Sequence, residues 1–380
     1  MDARSCLATA MLFACGCALA AQNAGTTGTW KIVPSPNGGS QALGNNLLAT
    51  VAISSKDAWA VGTEPNPVAF ETATSPLAEH WDGTQWSIVQ TPVISAPTSQ
   101  FNSISAADYN DVWAAGYSDN PSCFCGLTIV EQWNGIAWTR LATPNPGIAN
   151  YLNGIAAVSA ADVWAVGYQW PSEATTVPLL MHYDGSSWST FDESQLKYAN
   201  LNSVFAVAAN DVWAVGTFNN TEGLTLHWNG TSWRQVPFPS PPGGSTVLAS
   251  VSGAAADDLW AVGDFQYVNN SGGINDSAVG YHWNGSSWTA VPVGLGGYSY
   301  LNTVMARATS DVWAVGGGMV GISFEYRYVT LHWDGAIWSS VANPNKGILY
   351  GVSASSSSDA WAVGMGFDKV GTYVLHYTVP

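Results

Sequence analysis

Six histidines and seven aspartates recur at regular spacing, and a histidine held by a carboxylate is the pairing that general-base and nucleophilic catalysis use. The histidines His80, His182, His227, His282, His332 and His376 each directly precede an aromatic residue, and Gln132 takes the same place once. The aspartates Asp57, Asp111, Asp162, Asp211, Asp258, Asp311 and Asp359 each open the string Asp-x-Trp-Ala-x-Gly. A pair that recurs along the whole chain reads as a structural hydrogen-bond network, because every repeat has the same buried polar groups to satisfy. That leaves no histidine for a nucleophilic triad or a metal cluster, and no cofactor is expected.

A second chemistry is carried by the segments that vary between repeats. They hold acids, among them Glu64, Glu71, Asp119, Glu173, Glu222, Asp264, Asp276, Glu325 and Asp368. They also hold aromatics: Phe70, Phe124, Trp170, Phe218, Phe265, Tyr267, Phe324, Tyr326 and Phe367. An apolar ring face beside hydrogen-bond acceptors is what a sugar requires, whereas two carboxylates roughly 5 to 10 Å apart would permit glycoside hydrolysis. Arg307 and Arg327 could meet an anionic ligand. Cys123 and Cys125 could form a local disulfide or hold a soft metal. Asn269 to Asp276 is rich in oxygen donors but lacks the spacing of a calcium loop, and is read as a flexible loop. Asn102, Asn153, Asn202 and Asn302 recur at one point of the repeat, where turn capping is their expected role.

The elements that must position these residues follow from the repeat itself. The tryptophans of Asp-x-Trp-Ala-x-Gly, Trp59, Trp113, Trp164, Trp213, Trp260, Trp313 and Trp361, are 47 to 54 residues apart. A second string, aromatic-Asn/Asp-Gly-x-x-Trp, ends at Trp86, Trp138, Trp188, Trp233, Trp288 and Trp338. Each repeat reads as four short strands, with Asn/Asp-Gly supplying the positive φ of a tight hairpin turn. A four-stranded unit of about 50 residues repeated radially gives an all-β, seven-bladed β-propeller. The seventh repeat lacks its last strand, and Thr29-Trp30-Lys31-Ile32-Val33 copies the missing piece, so the N-terminal strand is expected to complete the last blade and close the ring. Strand direction then puts the Asn/Asp-Gly turns and the Asp column at one end of the ring and the variable segments at the other.

Charged residues make up only 9% of the 380 residues, and the net charge is −16. Nucleic acid is excluded as a partner, because its recognition needs clustered Lys and Arg. Residues 1–20 read as a signal peptide with Arg4, an apolar run from Cys6 to Leu19 and a small-residue cleavage site at Ala18-Leu19-Ala20. Residues 21–27 are expected to be a flexible N-terminus and 28–380 one propeller domain. The protein is thus expected to be secreted or periplasmic; lipid attachment at Cys15 is the variant reading. No later stretch reaches the about 20 apolar residues of a membrane span.

The repeat, with Asp-Val-Trp-Ala-Val-Gly followed by His-Trp-Asn-Gly-x-Ser-Trp, resembles secreted bacterial propellers grouped with the kelch and galactose-oxidase-like superfamily. The resemblance implies the seven-bladed fold and little about function. Copper-oxidase chemistry does not carry over, since the histidines are all repeat residues. The motif also differs from the WD repeat and from the sialidase Asp-box. The leading expectation is an exported, non-catalytic, lectin-like module that binds carbohydrate or a cell-surface protein. Its candidate contacts are Trp170, Phe218, Phe265, Tyr267, Tyr326, Phe367, Glu173, Glu222, Asp264, Glu325, Arg307 and Arg327. The alternatives are a polysaccharide lyase or hydrolase with carboxylates converging over the channel, and an envelope docking scaffold for proteins.

Overall fold

In Asp211-Val212-Trp213-Ala214-Val215-Gly216 every residue after the aspartate is buried. A strand buried on both faces must be covered on both, and a ring of sheets stacked face to face does this for every copy of the motif. The computed structural model describes residues 28–39, 45–66, 73–123, 125–172, 175–268, 272–320, 325–344, 347–367 and 371–379. The expected export signal and flexible N-terminus lie outside the described residues. Within them all regular elements are strands, and no helix is long and apolar enough to cross a membrane.

The strands form seven four-stranded antiparallel sheets, each ordered from the ring axis outward. Blade four is typical, with Asn200–Ala208 innermost, then Asp211–Phe218, Glu222–Trp228 and Trp233–Gln235. Each inner strand lies against those of both neighbouring blades, and the seventh lies against the first. The last blade consists of Gly347–Ser356, Asp359–Gly366, Thr372–Thr378 and, as its outer strand, Thr29–Val33. Thr29 pairs with Thr378 and Val33 with Val374, so the N-terminal strand closes the ring as its sequence predicts.

Three features make the blades alike. The second-strand tryptophans are at most 2% exposed. Each is clasped by the next blade: an outer-strand tryptophan meets it edge to face at 5.1 to 6.3 Å and 79 to 89°, and a third-strand aromatic lies at 4.7 to 5.4 Å. Second, every inner strand carries one unpaired residue opposite the motif glycine: Leu48, Asn102, Asn153, Asn202, Ala249, Asn302 or Tyr350. At that bulge the inner strand's carbonyl oxygen comes so close that a Cβ on the glycine would lie 1.9 to 2.2 Å from it in all seven blades. The motif must therefore end in glycine.

Third, the outer hairpin turn differs from the expected two-residue form. Trp228 pairs with Trp233, leaving four residues between; only Gly230 takes a positive φ, of 87°. Asn229 instead accepts bonds through its side chain from the backbone N–H groups of Thr231 and Ser232, both at 3.0 Å. The Asn or Asp of this string is a turn cap.

At the seam, the segment after the N-terminal strand crosses from blade seven to blade one. Asn37 Oδ1 accepts the Thr372 N–H at 2.9 Å. Ser35 Oγ lies 3.0 Å from Thr372 Oγ1 and 2.5 Å from Glu79 Oε2. Glu79 is fully buried and its Oε1 has no hydrogen-bond partner among the described residues; burial pushes its pKa up to about 8, with the Ser35 hydrogen bond acting in the opposite sense.

Two outcomes test this architecture. Trp30→Ala removes the edge-to-face contact with Trp313 and is expected to cost about 3–5 kcal/mol, while Lys31→Ala, on the opposite and exposed face of the same strand, stays within about 0.5 kcal/mol; denaturant titration reads both. Because the folded protein holds the Glu79 proton above the pH at which the unfolded chain releases it, this group's contribution to stability falls as pH rises from about 4.5 to about 8. Glu79→Gln keeps a partner for Ser35 and should flatten that slope by about 1.4 kcal/mol per pH unit, measured as the difference in unfolding free energy between variant and parent from pH 5 to 8.

Candidate functional site

The two ends of the ring carry different chemistry. At the turn end, antiparallel pairing puts each Asp-column residue beside the histidine of the third strand. All six pairs form, with Nε2 to Oδ1 distances of 2.7 to 2.8 Å. In blade two the Gln132 amide donates to Asp111 Oδ1 at 2.7 Å instead. Each histidine ring also lies on its own blade's tryptophan, at 3.9 to 4.8 Å. The histidines are therefore engaged in the blade scaffold, as the repeat pattern implied.

Arg307 belongs to this same end, where its Nε donates to Asp311 Oδ2 at 2.5 Å. Arg327 pairs with Gly318 toward the opposite end of blade six. The two arginines are separated by the length of the blade, so the expectation that they meet one anion is corrected.

The variable end gathers an aromatic cluster from blades two and three. Tyr151, near the start of an inner strand, stacks on Tyr168 at 4.9 Å and 22°. It also meets Tyr117 edge to face at 4.9 Å and lies 6.2 Å from Trp170. The Tyr151 ring lies so close to Gly126 that a Cβ there would be 2.4 Å from it; the absent side chain makes room for the ring. Burial, and then neighbouring Asp119 and Tyr151, raise the Tyr117 pKa, and burial followed by the two other tyrosines raises that of Tyr168. Burial also raises Asp119. Trp170 is 38% exposed, and Ile148, half exposed, donates its backbone N–H to the Trp170 carbonyl. Three phenol hydroxyls, an acid and an open indole face thus share one patch, beside the loop that the Cys123–Cys125 disulfide closes.

Sequence reasoning singled out Trp170 here and missed the three tyrosines. A signal was present: Tyr117 and Tyr168 directly follow the motif glycine, in a column that otherwise reads Thr63, Thr217, Asp264, Gly317 and Met365. Departure from the repeat immediately after its fixed residue marks the variable end.

Other expected contacts are placed differently. Phe218 packs partly against the core between blades three and four, so it is not an open platform. Glu222 is exposed at the start of a third strand, opposite Phe218. In blade five the second strand, Asp258–Val268, and the third, Ile274–Trp283, extend through the segment expected to be loop. Phe265 and Tyr267 stack there at 5.8 Å and 18°, and Asp276 pairs with Gln266 in the ladder, which corrects the flexible-loop reading at its C-terminal part. Burial, with Asp276 as the second cause, pushes Asp264 up to about 6. Glu325 and Tyr326 open the third strand of blade six opposite Val320 and Met319. Phe367 is half exposed at the end of a strand. Glu173, Glu71, Phe70, Phe124, Phe324 and Asp368 lie outside the described residues.

The recurring asparagines are not turn caps. They occupy the inner-strand bulge, and each donates its amide to the next blade's inner strand: Asn102 to Leu152 O, Asn153 to Leu201 O, Asn202 to Leu248 O and Asn302 to Leu349 O, at 2.7 to 2.9 Å. Deeper down, serine hydroxyls accept backbone N–H groups from the next blade, as Ser103 does from Ile155 and Ser203 from Val251. Ser353 does the same across the seam, from Ala52 at 2.9 Å. The four asparagines, Ser103 and Ser203 line a central cavity of about 260 Å³. Neither Glu222 nor Asp264 lines it.

No family model and no curated relative matches the chain. Solved structures share its fold. A structure described as YCF48 bound to D1 peptide matches with a TM-score of 0.59 at 14% identity, over 92% of this chain and 95% of the other. A GH74 xyloglucanase from Xanthomonas campestris matches with 0.57 at 13%, over 88% and 53%. A PL25 ulvan lyase matches with 0.55 at 10%, over 92% and 96%. At these identities the likeness concerns the seven-bladed ring alone, which hosts both binding proteins and polysaccharide-acting enzymes.

Blade two supplies a natural control for the structural role of the histidines. Since Gln132 serves Asp111, His227→Gln should cost well under half of what His227→Ala costs, the latter about 1–3 kcal/mol because the Asp211 carboxylate keeps only the Trp213 indole N–H of its two side-chain donors. Paired denaturant melts decide this; equal losses would remove the hydrogen bond as the reason for the column.

Proposed function

We propose that this protein is an exported, non-catalytic binding module for carbohydrate, with its ligand on the variable end of the ring. The observation that carries this reading is the cluster of Tyr117, Tyr151, Tyr168 and Trp170. Sugar rings are held by an apolar face against an aromatic ring and by hydroxyls paired with phenol, amide and carboxyl groups. The cluster offers an exposed indole face, and the Tyr117 and Tyr168 hydroxyls stay neutral because burial opposes their ionisation. The stacked pair Phe265 and Tyr267 is the counterpart on blade five, and Glu222 and Phe367 stand as further rim contacts. A ligand with repeating units could engage several blades at once, which multiplies weak contacts into useful avidity. Engagement of all six histidines in the scaffold favours binding over a histidine-dependent reaction.

An enzyme acting on polysaccharide is the second reading, and one observation favours it. Burial, and then its neighbour Asp276, push Asp264 up to about 6, and a carboxyl that titrates close to neutrality suits a general acid.

The readings part on one set of experiments. Isothermal titration of the chain from Ala21 with neutral and acidic polysaccharides should show binding that Trp170→Ala and Tyr151→Ala each weaken at least tenfold, about 1.4 kcal/mol, with the polymer recovered unchanged. New reducing ends or unsaturated products, lost in Asp264→Asn, would establish the enzyme instead.

A further inference from the structure

We infer that the central channel is a separate binding site for one neutral polyol of monosaccharide size, held by the free faces of the groups that staple the blades together. The Asn bulge fixes each amide by its nitrogen, which donates to the next blade. The oxygens of Asn153, Asn202 and Asn302 accept no hydrogen bond from the described residues, and all three residues line the cavity. The serines are set the opposite way. Ser103, Ser203 and Ser250 accept a backbone N–H from the next blade, so each keeps its own hydroxyl proton to give.

The wall thus alternates acceptors and donors, and no Asp, Glu, Lys or Arg lines it. An ion would enter without a counter-charge and lose its hydration, a cost that neutral dipoles of mixed sign offset poorly. A hydroxylated neutral molecule uses both signs on every carbon. Tyr350 occupies the same bulge position in blade seven and lines the same cavity, adding the aromatic surface on which the C–H face of a sugar packs. The cavity of about 260 Å³ is below the ~300–1,000 Å³ of drug-sized sites, which restricts the occupant to a single small ring. A free sugar and the end residue of a glycan present the same chemistry.

The site uses none of the rim aromatics, so it stands or falls independently of the carbohydrate platform on blades two and three. The test titrates the full chain with D-glucose, D-galactose, D-mannose, their methyl glycosides and matching linear oligosaccharides. D-glucuronate and D-glucosamine serve as charged counterparts, and saturation-transfer NMR and calorimetry are the readouts. At least one neutral sugar is expected to bind with saturation below about 50 mM, the weak affinity suited to one small ring. Its charged counterparts should bind at least tenfold more weakly. Binding to the free sugar or only to the oligosaccharide identifies the source.

Ala249→Tyr fills the channel without removing a staple, and blade seven already accommodates Tyr350 at the corresponding position. It should weaken binding at least tenfold with an unchanged thermal midpoint, whereas Ile136→Ala, in an exposed outer turn, leaves monosaccharide binding as it was. Should Ala249→Tyr fail to fold, Leu48→Tyr at the blade-one position gives the same readout. The proposal is overturned if no neutral sugar binds in that range, if the charged sugars bind equally well, or if a folded channel-filling variant binds like the parent.

Discussion

The perpendicular contact between an outer-strand tryptophan and the second-strand tryptophan of the preceding blade is the interaction on which the rest of the molecule depends. It occurs seven times, the last between Trp30 and Trp313 and the one across the first junction between Trp86 and Trp361. Such pairs contribute about 0.5–1.5 kcal/mol each beyond the area they bury, and here they are set in series around a ring. A blade cannot rotate without opening two of them. The Asp-His pair fixes the orientation of the same tryptophan from within its own blade, as in Trp361, where the His376 ring lies parallel at 3.9 Å. Polar and aromatic contacts therefore act on one side chain from two sheets.

The bulge sets the inner boundary of the ring. By displacing one residue from the ladder it aims an asparagine at the neighbouring blade and brings backbone against backbone at the motif glycine. The hydrogen bonds at the axis and the aromatic contacts further out are consequently spaced along the same radius, one hydrophilic and one apolar. Stability built this way resides in contacts that recur in every blade, and the variable end is free to differ without disturbing them.

How much of this was legible in the sequence depended on whether a residue obeyed the repeat. The strand order, the ring closure by Thr29–Val33 and the Asp-His pairing followed from columns that recur in register. The asparagine staples were visible as a column but not as contacts, because a bulge is a property of backbone register that side-chain types do not announce. Arg307 and Arg327 illustrate the converse: close in sequence and in one repeat, they stand at opposite ends of a blade because a strand separates them. Tyr117, Tyr151 and Tyr168 come from two repeats and three strands. Only the three-dimensional stacking of neighbouring blades makes them one patch.

The pairing of Thr29 with Thr378 joins segments nearly the whole chain apart. Six blades are assembled from strands local in sequence, but the seventh needs both ends of the fold, so its loop-closure entropy is met only after everything between has been made. Until then a three-stranded blade presents an unsatisfied edge beside a loose complementary strand. At high concentration that edge can accept the same strand from a second molecule, and the device that completes a monomer becomes a route to linked rings.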